Sequence, residues 1–410
     1  MVNFDQSLTA KWKLTIGWLM QQVQAYHKRN GYLLGWSASE IRRTDQYSSE
    51  LLLVRLKWRN DDQLPSSVVI KCPKTTENEK RYVEFAARCQ HTEISAYAIL
   101  EGVDDLPIPI VYHAHQAQSQ QLPGVLLMQS FTDNGQIASA SDTLNYEQVL
   151  RVVENLARLH AYSFKTSGWQ NQLKNWADDI EQSWADLMHQ LATVKCVLMA
   201  HKPLYFVRFF DNVARHMDAK LASQLVLHSH ETLGIPAVIV HGHLTAKNVI
   251  FAKVWPPQTR LLAIIDWHLA HPGNCCEDLA CLLATSCSSQ LRRQMTDKLL
   301  EIYYQRLCHY MGSESPPITL SQVKEAYKQM LPYAMMTMLF TLPYWIKRTD
   351  SQDRREEIER ALLSARTLME DVITLRREEE RKKIYEMVHG KWIRLNEAYE
   401  DMEQATAYSL

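Results

Sequence analysis

The stretch that most narrows what this chain can fold into is His241 to Asn248, set between two apolar runs. Ile235 to Val240 leads in, Asn248 to Val254 leads out, and a third run, Leu261 to Ile265, ends on Asp266. Runs of this length and composition read as short buried strands, and Trp255-Pro256-Pro257-Gln258 supplies the turn between the last two. Strand ends deliver polar side chains to the rim of a sheet. The spacing therefore puts His243, Asn248 and Asp266 on a small hairpin. An amide oxygen at Asn248 and a carboxylate at Asp266 are hard oxygen donors, the type that holds magnesium on phosphates with few protein ligands.

The rest of the chain has two characters. Residues 8 to 29 carry apolar side chains at helical spacing (Leu14, Trp18, Leu19, Val23, Tyr26) and stop at Asn30-Gly31. Three strand-like runs follow, Ser39 to Arg43, Glu50 to Trp58 and Ser67 to Cys72, with polar links that suit an antiparallel sheet. Thr76 to Leu100 is helical, Val125 to Met128 is another short strand, and Thr132-Asp133-Asn134-Gly135 has the composition of a hinge. Beyond it helices dominate, beginning with Tyr146 to Phe164 and ending in a charge-dense tail, Asp353 to Gln404. Ile358, Leu362, Leu368, Val372 and Leu375 form that tail's apolar seam, and Arg376 to Lys383 reads as a solvated face. At 410 residues there is material for two lobes sharing a cleft.

Charged residues make up 22% of the chain and the formal net charge is -1, so no global field favours nucleic acid or an anionic membrane. The first residues do not read as a signal peptide, and the longest apolar stretch, Tyr333 to Trp345, is interrupted by Pro343 and too short for a span. A soluble, cytoplasmic protein is the expectation. The 8 cysteines are read as reduced thiols. Cys275, Cys276, Cys281 and Cys287 cluster near His268 and His271, but without paired C-x-x-C spacing they suit packing better than zinc. Tyr333 to Trp345, rich in methionine, suits core packing better than an acceptor pocket.

HGHLTAKN at 241–248, IIDWHLAHPG at 264–273 and Glu277-Asp278-Leu279-Ala280 together resemble the choline-kinase-like family that includes ecdysteroid-kinase-like proteins, relatives of aminoglycoside phosphotransferases. The order of sheet, helix, hinge and helical tail extends that resemblance over nearly the whole chain. It implies an α+β, two-lobed protein-kinase-like fold. Residues 1–130 would be a nucleotide-binding lobe of antiparallel sheet plus helix, and 131–410 a mainly helical lobe. It further implies ATP and Mg2+ as cofactors and the hydroxyl of a small molecule as acceptor, with oligomeric state unknown.

Carried over residue by residue, the resemblance implies that Asn248 and Asp266 hold the metal, that Lys71 contacts phosphates, and that Glu93 pairs with Lys71. A glutamate fixes an otherwise floppy lysine stem that neutralises phosphate charge. Taken alone, Lys71 is a strand-edge lysine and Glu93 a helix-surface carboxylate. Met128 and Gln129 would border the adenine pocket, although any lobe boundary shows an apolar strand before a turn. Leu156 to Ala161 also matches, with His160 satisfied in the core. Asp278 is read as stabilising the start of its own helix rather than as catalytic.

Two departures matter. Relatives carry aspartate where this chain has His243, the residue that would orient the acceptor hydroxyl and take its proton. Neutral imidazole accepts a proton near pH 7, whereas nearby phosphates favour its charged form, which cannot. The turn Arg43 to Ser49, expected to cover the nucleotide, has no glycine. An ATP-dependent small-molecule kinase with His243 near the acceptor, and a catalytically inactive nucleotide-binding relative, are both open, with catalysis the leading expectation.

Overall fold

The computed structural model describes residues 3–9, 13–41, 48–59, 63–74, 80–116, 124–137, 143–173, 180–253, 259–348 and 355–407. The turn Arg43 to Ser49 lies almost wholly outside the described residues, as does the link Trp255 to Gln258. Ten strands are described: β1 Leu33–Ile41, β2 Ser49–Trp58, β3 Ser67–Pro73, β4 Val111–His115, β5 Val125–Gln129, β6 Gly135–Ile137, β7 Val238–Val240, β8 Val249–Ala252, β9 Leu261–Ile264 and β10 His271–Gly273. The described α-helices are α1 Ile16–His27, α2 Lys80–Leu100, α3 Tyr146–Lys165, α4 Trp169–Gln172, α5 Ile180–Met188, α6 Leu191–His201, α7 Pro203–Val213, α8 Ala219–Thr232, α9 Glu277–Ser286, α10 Ser289–Met311, α11 Leu320–Arg348 and α12 Arg355–Ala407.

The first five strands form one antiparallel sheet in the order β1-β2-β3-β5-β4. Alternation assigns its two faces. Val68 and Ile70 of β3 and Val125 and Leu127 of β5 pack with Ile16, Leu19, Met20 and Val23 of α1. Leu126 and Met128 point the other way and join Ala96, Tyr97 and Leu100 of α2 in the core that continues through the helical lobe.

The leading helix is shorter than its apolar pattern. Thr15 caps it by accepting the Trp18 N–H at 3.2 Å, so it starts at Ile16, and Lys28 ends it in the left-handed region at φ 50°. The buried face is correspondingly Ile16, Leu19, Met20 and Val23, while Tyr26 is exposed. β1 starts at Leu33, well before Ser39, because pairing with β2 recruits residues with no strand pattern of their own. β4 and β6, absent from the sequence reading, are likewise defined by their partners.

In the helical lobe, β6-β8-β9 form a three-stranded sheet and β7-β10 a two-stranded ribbon. α3 packs on α10, α9 on α11, and α12 along α7 and α11. The α12 seam behaves as its pattern requires: Leu362, Leu368 and Val372 are buried, with Ile358 and Leu375 packed against the same core. Tyr333, Met335, Met336, Met338 and Phe340 of α11 are core residues too. Among the described residues no helix is long and apolar enough to cross a membrane.

Candidate active site

β3 delivers Lys71 by its alternation. With Val68 and Ile70 committed to the α1 face, Lys71 points at α2, where Glu93 waits on a buried turn. The Lys71 Nζ lies 2.5 Å from Glu93 Oε2 and 2.5 Å from Asp266 Oδ1. One ammonium thus joins the sheet, the helix behind it and the end of β9. Burial alone would depress the lysine pKa, but the Asp266 and Glu93 carboxylates outweigh it and raise the value above that of ordinary lysine. Glu93, the deeper carboxylate, is pushed up by burial, against the pull of Lys71.

Asp266 reaches this position by an unusual backbone. The Ile265 N–H donates to Asn248 O at 2.9 Å, extending the β8–β9 pairing, and Asp266 then turns at φ 72°. A non-glycine residue in that region costs about 1–3 kcal/mol, and such strain gathers at functional sites. His268 Nδ1 lies 3.0 Å from Asp266 Oδ1. The rings of His268 and His243 meet edge to face, 6.0 Å apart between centroids at 87°. Asn248, buried, donates its Nδ2 hydrogen to His243 O at 2.9 Å, which ties the amide to the residue in question.

The loop from His241 to Asn248 is held from beneath. His241 donates from Nε2 to Ile265 O at 2.9 Å and accepts the His243 N–H on Nδ1 at 3.2 Å. Its tautomer is thereby fixed, and burial lowers its pKa to about 3, so the ring is neutral. Trp267 packs on it with centroids 4.6 Å apart. Gly242 sits at φ 78°, and a Cβ there would lie 2.3 Å from Leu269 O, so only glycine fits.

Asp278 does not cap its own helix. Its Oδ2 accepts the His241 N–H at 2.7 Å and its Oδ1 the Gly242 N–H at 3.1 Å. It sits one residue inside α9, facing the incoming loop rather than the helix's first N–H groups. Burial, with the neighbouring Glu277 charge, raises its pKa to about 7 despite those two donors. Beside it His271 donates from Nδ1 to Leu269 O at 2.8 Å and meets Glu277 Oε2 through Nε2 at 3.1 Å. Burial opposes charging His271, but Glu277 overrides it and raises its pKa.

Of the residues singled out by sequence, Lys71, Glu93 and Asp266 are in direct contact, and the β8–β9 pairing sets Asn248 and His243 next to them. Met128 and Gln129 lie on β5 alongside Val69 and Val68 of β3. Gln129 is already engaged: its N–H donates to Ile110 O at 2.8 Å and its Oε1 accepts the Ile110 N–H at 3.2 Å. Sequence reasoning missed the supporting roles of His241, His268, His271 and Glu277. A pair of adjacent acids at the start of α9 was the available signal. His160 is in the core, 2.7 Å from the Tyr303 hydroxyl, and burial lowers its pKa to about 3. The four clustered cysteines are buried free thiols.

This arrangement of sheet, helix and hairpin defines a two-lobed, protein-kinase-like fold. The choline kinase of Cryptosporidium parvum has the same fold, at a TM-score of 0.52 and 10% identity, covering 90% of this chain and 96% of that one. The chain belongs to the DUF1679 family, described as "Uncharacterized oxidoreductase dhs-27", which matches residues 71–380. It is 24% identical over 384 residues to the Caenorhabditis elegans protein called "Uncharacterized oxidoreductase dhs-27", covering 83% of this chain and 44% of that protein. It is also 24% identical over 315 residues to the Caenorhabditis elegans "Uncharacterized kinase-like protein D1044.1", covering 70% of this chain and 76% of the relative. The chain therefore spans less than half of the first relative and about three quarters of the second.

Proposed function

We propose that this protein is an ATP- and Mg2+-dependent phosphotransferase acting on the hydroxyl of a small molecule. The observation that supports the reading is the ion-paired line Glu93–Lys71–Asp266, which joins the five-stranded sheet and its helix to the end of β9 and offers a lysine for phosphate and a carboxylate for a metal. Residues 1–130 would hold the nucleotide and 131–410 the acceptor. The base would lie beside Met128 and Gln129. Because Gln129 already holds Ile110, neighbouring backbone groups would read the base edge.

The donor set fits magnesium. An amide at Asn248 and a carboxylate at Asp266 provide hard oxygen ligands, and among the described residues no cluster of three or more His, Cys, Asp or Glu side chains is arranged to hold a metal. A site of this kind is completed by phosphate oxygens and water, and when bound the ion neutralises charge on the transferring group. Lys71 would exchange part of its contact with Asp266 for phosphate, and Glu93 would keep its stem in place. In transfer the acceptor oxygen would bond to the γ-phosphorus as the bond to the β-phosphate oxygen breaks, and the acceptor proton would pass to the His243 imidazole or to water.

His243 favours a second reading, a nucleotide-binding relative without turnover. The imidazole is larger than a carboxylate, and losing a positioned base costs about 10²- to 10⁴-fold in rate. The name oxidoreductase carried by one relative has no counterpart motif here: no two glycines in the chain have the Gly-x-Gly spacing of a dinucleotide fingerprint. Titration calorimetry with Mg-ATP tests the site itself. Wild type should give a binding heat that Asp266→Ala abolishes, and a wild type with no heat would sink both readings.

A further inference from the structure

His268 stands beside the candidate metal pair, and the donor set of Asn248 and Asp266 does not use it. Trp267, fully buried, donates its Nε1 hydrogen to Ile264 O at 3.0 Å and so pins the chain between Asp266 and His268. The left-handed turn at Asp266 then brings the His268 ring back onto the carboxylate. Its Nδ1 lies 3.0 Å from Asp266 Oδ1 and 3.2 Å from the Asp266 carbonyl oxygen. The His268 and Asp266 side chains are 15% and 21% exposed, so the pair is sheltered yet open to the cleft. The His243 ring, edge-on to His268, braces the imidazole where it is.

A hydrogen bond accounts for the contact between His268 and Asp266, and the same spacing has a second use. Atoms at adjacent corners of an octahedral ion, with bonds of about 2.1 Å, lie about 3 Å apart. His268 Nδ1 and Asp266 Oδ1 therefore already have the separation of neighbouring ligands. Lys71 shares that oxygen. Once its ammonium turns to phosphate, as the proposed function requires, a cation can take its place against the carboxylate. Asn248, whose Nδ2 is tied to His243 O, would add its amide oxygen. Phosphate oxygens and water would complete the shell.

The nitrogen decides which cation gains. Magnesium prefers oxygen ligands and gives up water reluctantly, so an imidazole adds little to its binding. First-row transition ions accept imidazole nitrogen, and their affinity for a mixed nitrogen and oxygen site rises from Mn2+ to Co2+. On the basis of the proposed function, we infer that His268 is a third protein ligand of the nucleotide-bound cation and shifts the site from magnesium toward a first-row transition ion such as Mn2+ or Co2+.

Titration calorimetry of the full chain with ADP and either Mg2+, Mn2+ or Co2+ tests it, because ADP reports binding without transfer. The preference for Co-ADP over Mg-ADP should be at least about tenfold larger in wild type than in His268→Asp, which puts an oxygen ligand in place of the nitrogen. Retained Mg-ADP binding shows that the variant is folded. Pulsed electron paramagnetic resonance of the Mn-ADP complex gives a second readout that needs no variant. Wild type should show a nitrogen coupling to the manganese, and isotope-labelled histidine should change it. A His268 that only hydrogen-bonds to Asp266 would leave the metal preference unaltered by the substitution. That result, or a manganese spectrum without a histidine coupling, would overturn the inference while nucleotide binding stands. No heat with any of the three cations would instead remove the proposed function, and this inference with it.

Discussion

The ammonium of Lys71 lies 2.5 Å from the Asp266 carboxylate, 195 residues further along the chain, while its other flank is taken by Glu93. Breaking a buried pair by removing one partner leaves the other charge uncompensated. Lys71→Met should therefore destabilise the protein by roughly 3–5 kcal/mol near neutral pH, measured by urea unfolding. Because burial already raises the Glu93 pKa, protonation relieves part of the loss, so the penalty should shrink at pH 5. Lys71→Met combined with Glu93→Gln should recover much of it. An equal penalty at both pH values would contradict this account.

Gly242→Ala should be costly for two separate reasons, the positive φ and the 2.3 Å approach of a Cβ to Leu269 O. A loss of at least about 2 kcal/mol is expected, read as a lower melting temperature. A variant as stable as wild type would mean the loop has another conformation.

Opposite pH dependences meet at one loop. His241 stays neutral down to about 3, whereas an ordinary histidine in the unfolded chain binds a proton near 6.5. The unfolded state then holds more protons, so this contribution is present above pH 6.5 and is lost as pH falls toward 3. Asp278 runs the other way, keeping its proton up to about 7 when an unfolded aspartate releases it near 3.8. Its protonated form favours the fold at low pH, and that advantage is lost as pH rises through 7. Asp278→Asn should accordingly show a flatter stability profile than wild type between pH 5 and 8. The His241 ring resonances should not titrate in that window.

His243→Asp separates a slow enzyme from a silent one. If His243 is only an inferior base, the change should raise phosphoryl transfer to an alcohol panel by about 10²-fold or more, with little change in Mg-ATP affinity. No gain against a broad panel, with nucleotide binding intact, would favour the non-catalytic reading.

Only part of this site was legible locally. The strand ends at Asn248 and Asp266 were marked by their apolar runs, but Lys71 taken alone read as a strand-edge lysine and Glu93 as a helix-surface carboxylate, whereas both are buried and paired. What could not be read was anything set by a distant partner. β4 is defined by β5, and β1 borrows six residues from its pairing with β2. Asp278 was expected to serve the helix it begins, the nearest supply of N–H groups, yet the fold brings His241 and Gly242 closer. Likewise nothing in the spacing of His268 announced that its ring would rest on Asp266.

That cluster has a consequence for the order in which ligands arrive. Lys71 is ion-paired with two carboxylates, so on the proposed function an incoming nucleotide meets a lysine already engaged rather than a bare cation. Free ATP would have to compete with those carboxylates, whereas the magnesium salt brings its own counter-charge. On the proposed function, the metal–nucleotide complex enters as a single unit, and free polyphosphate is screened out before any contact with the acceptor side is made.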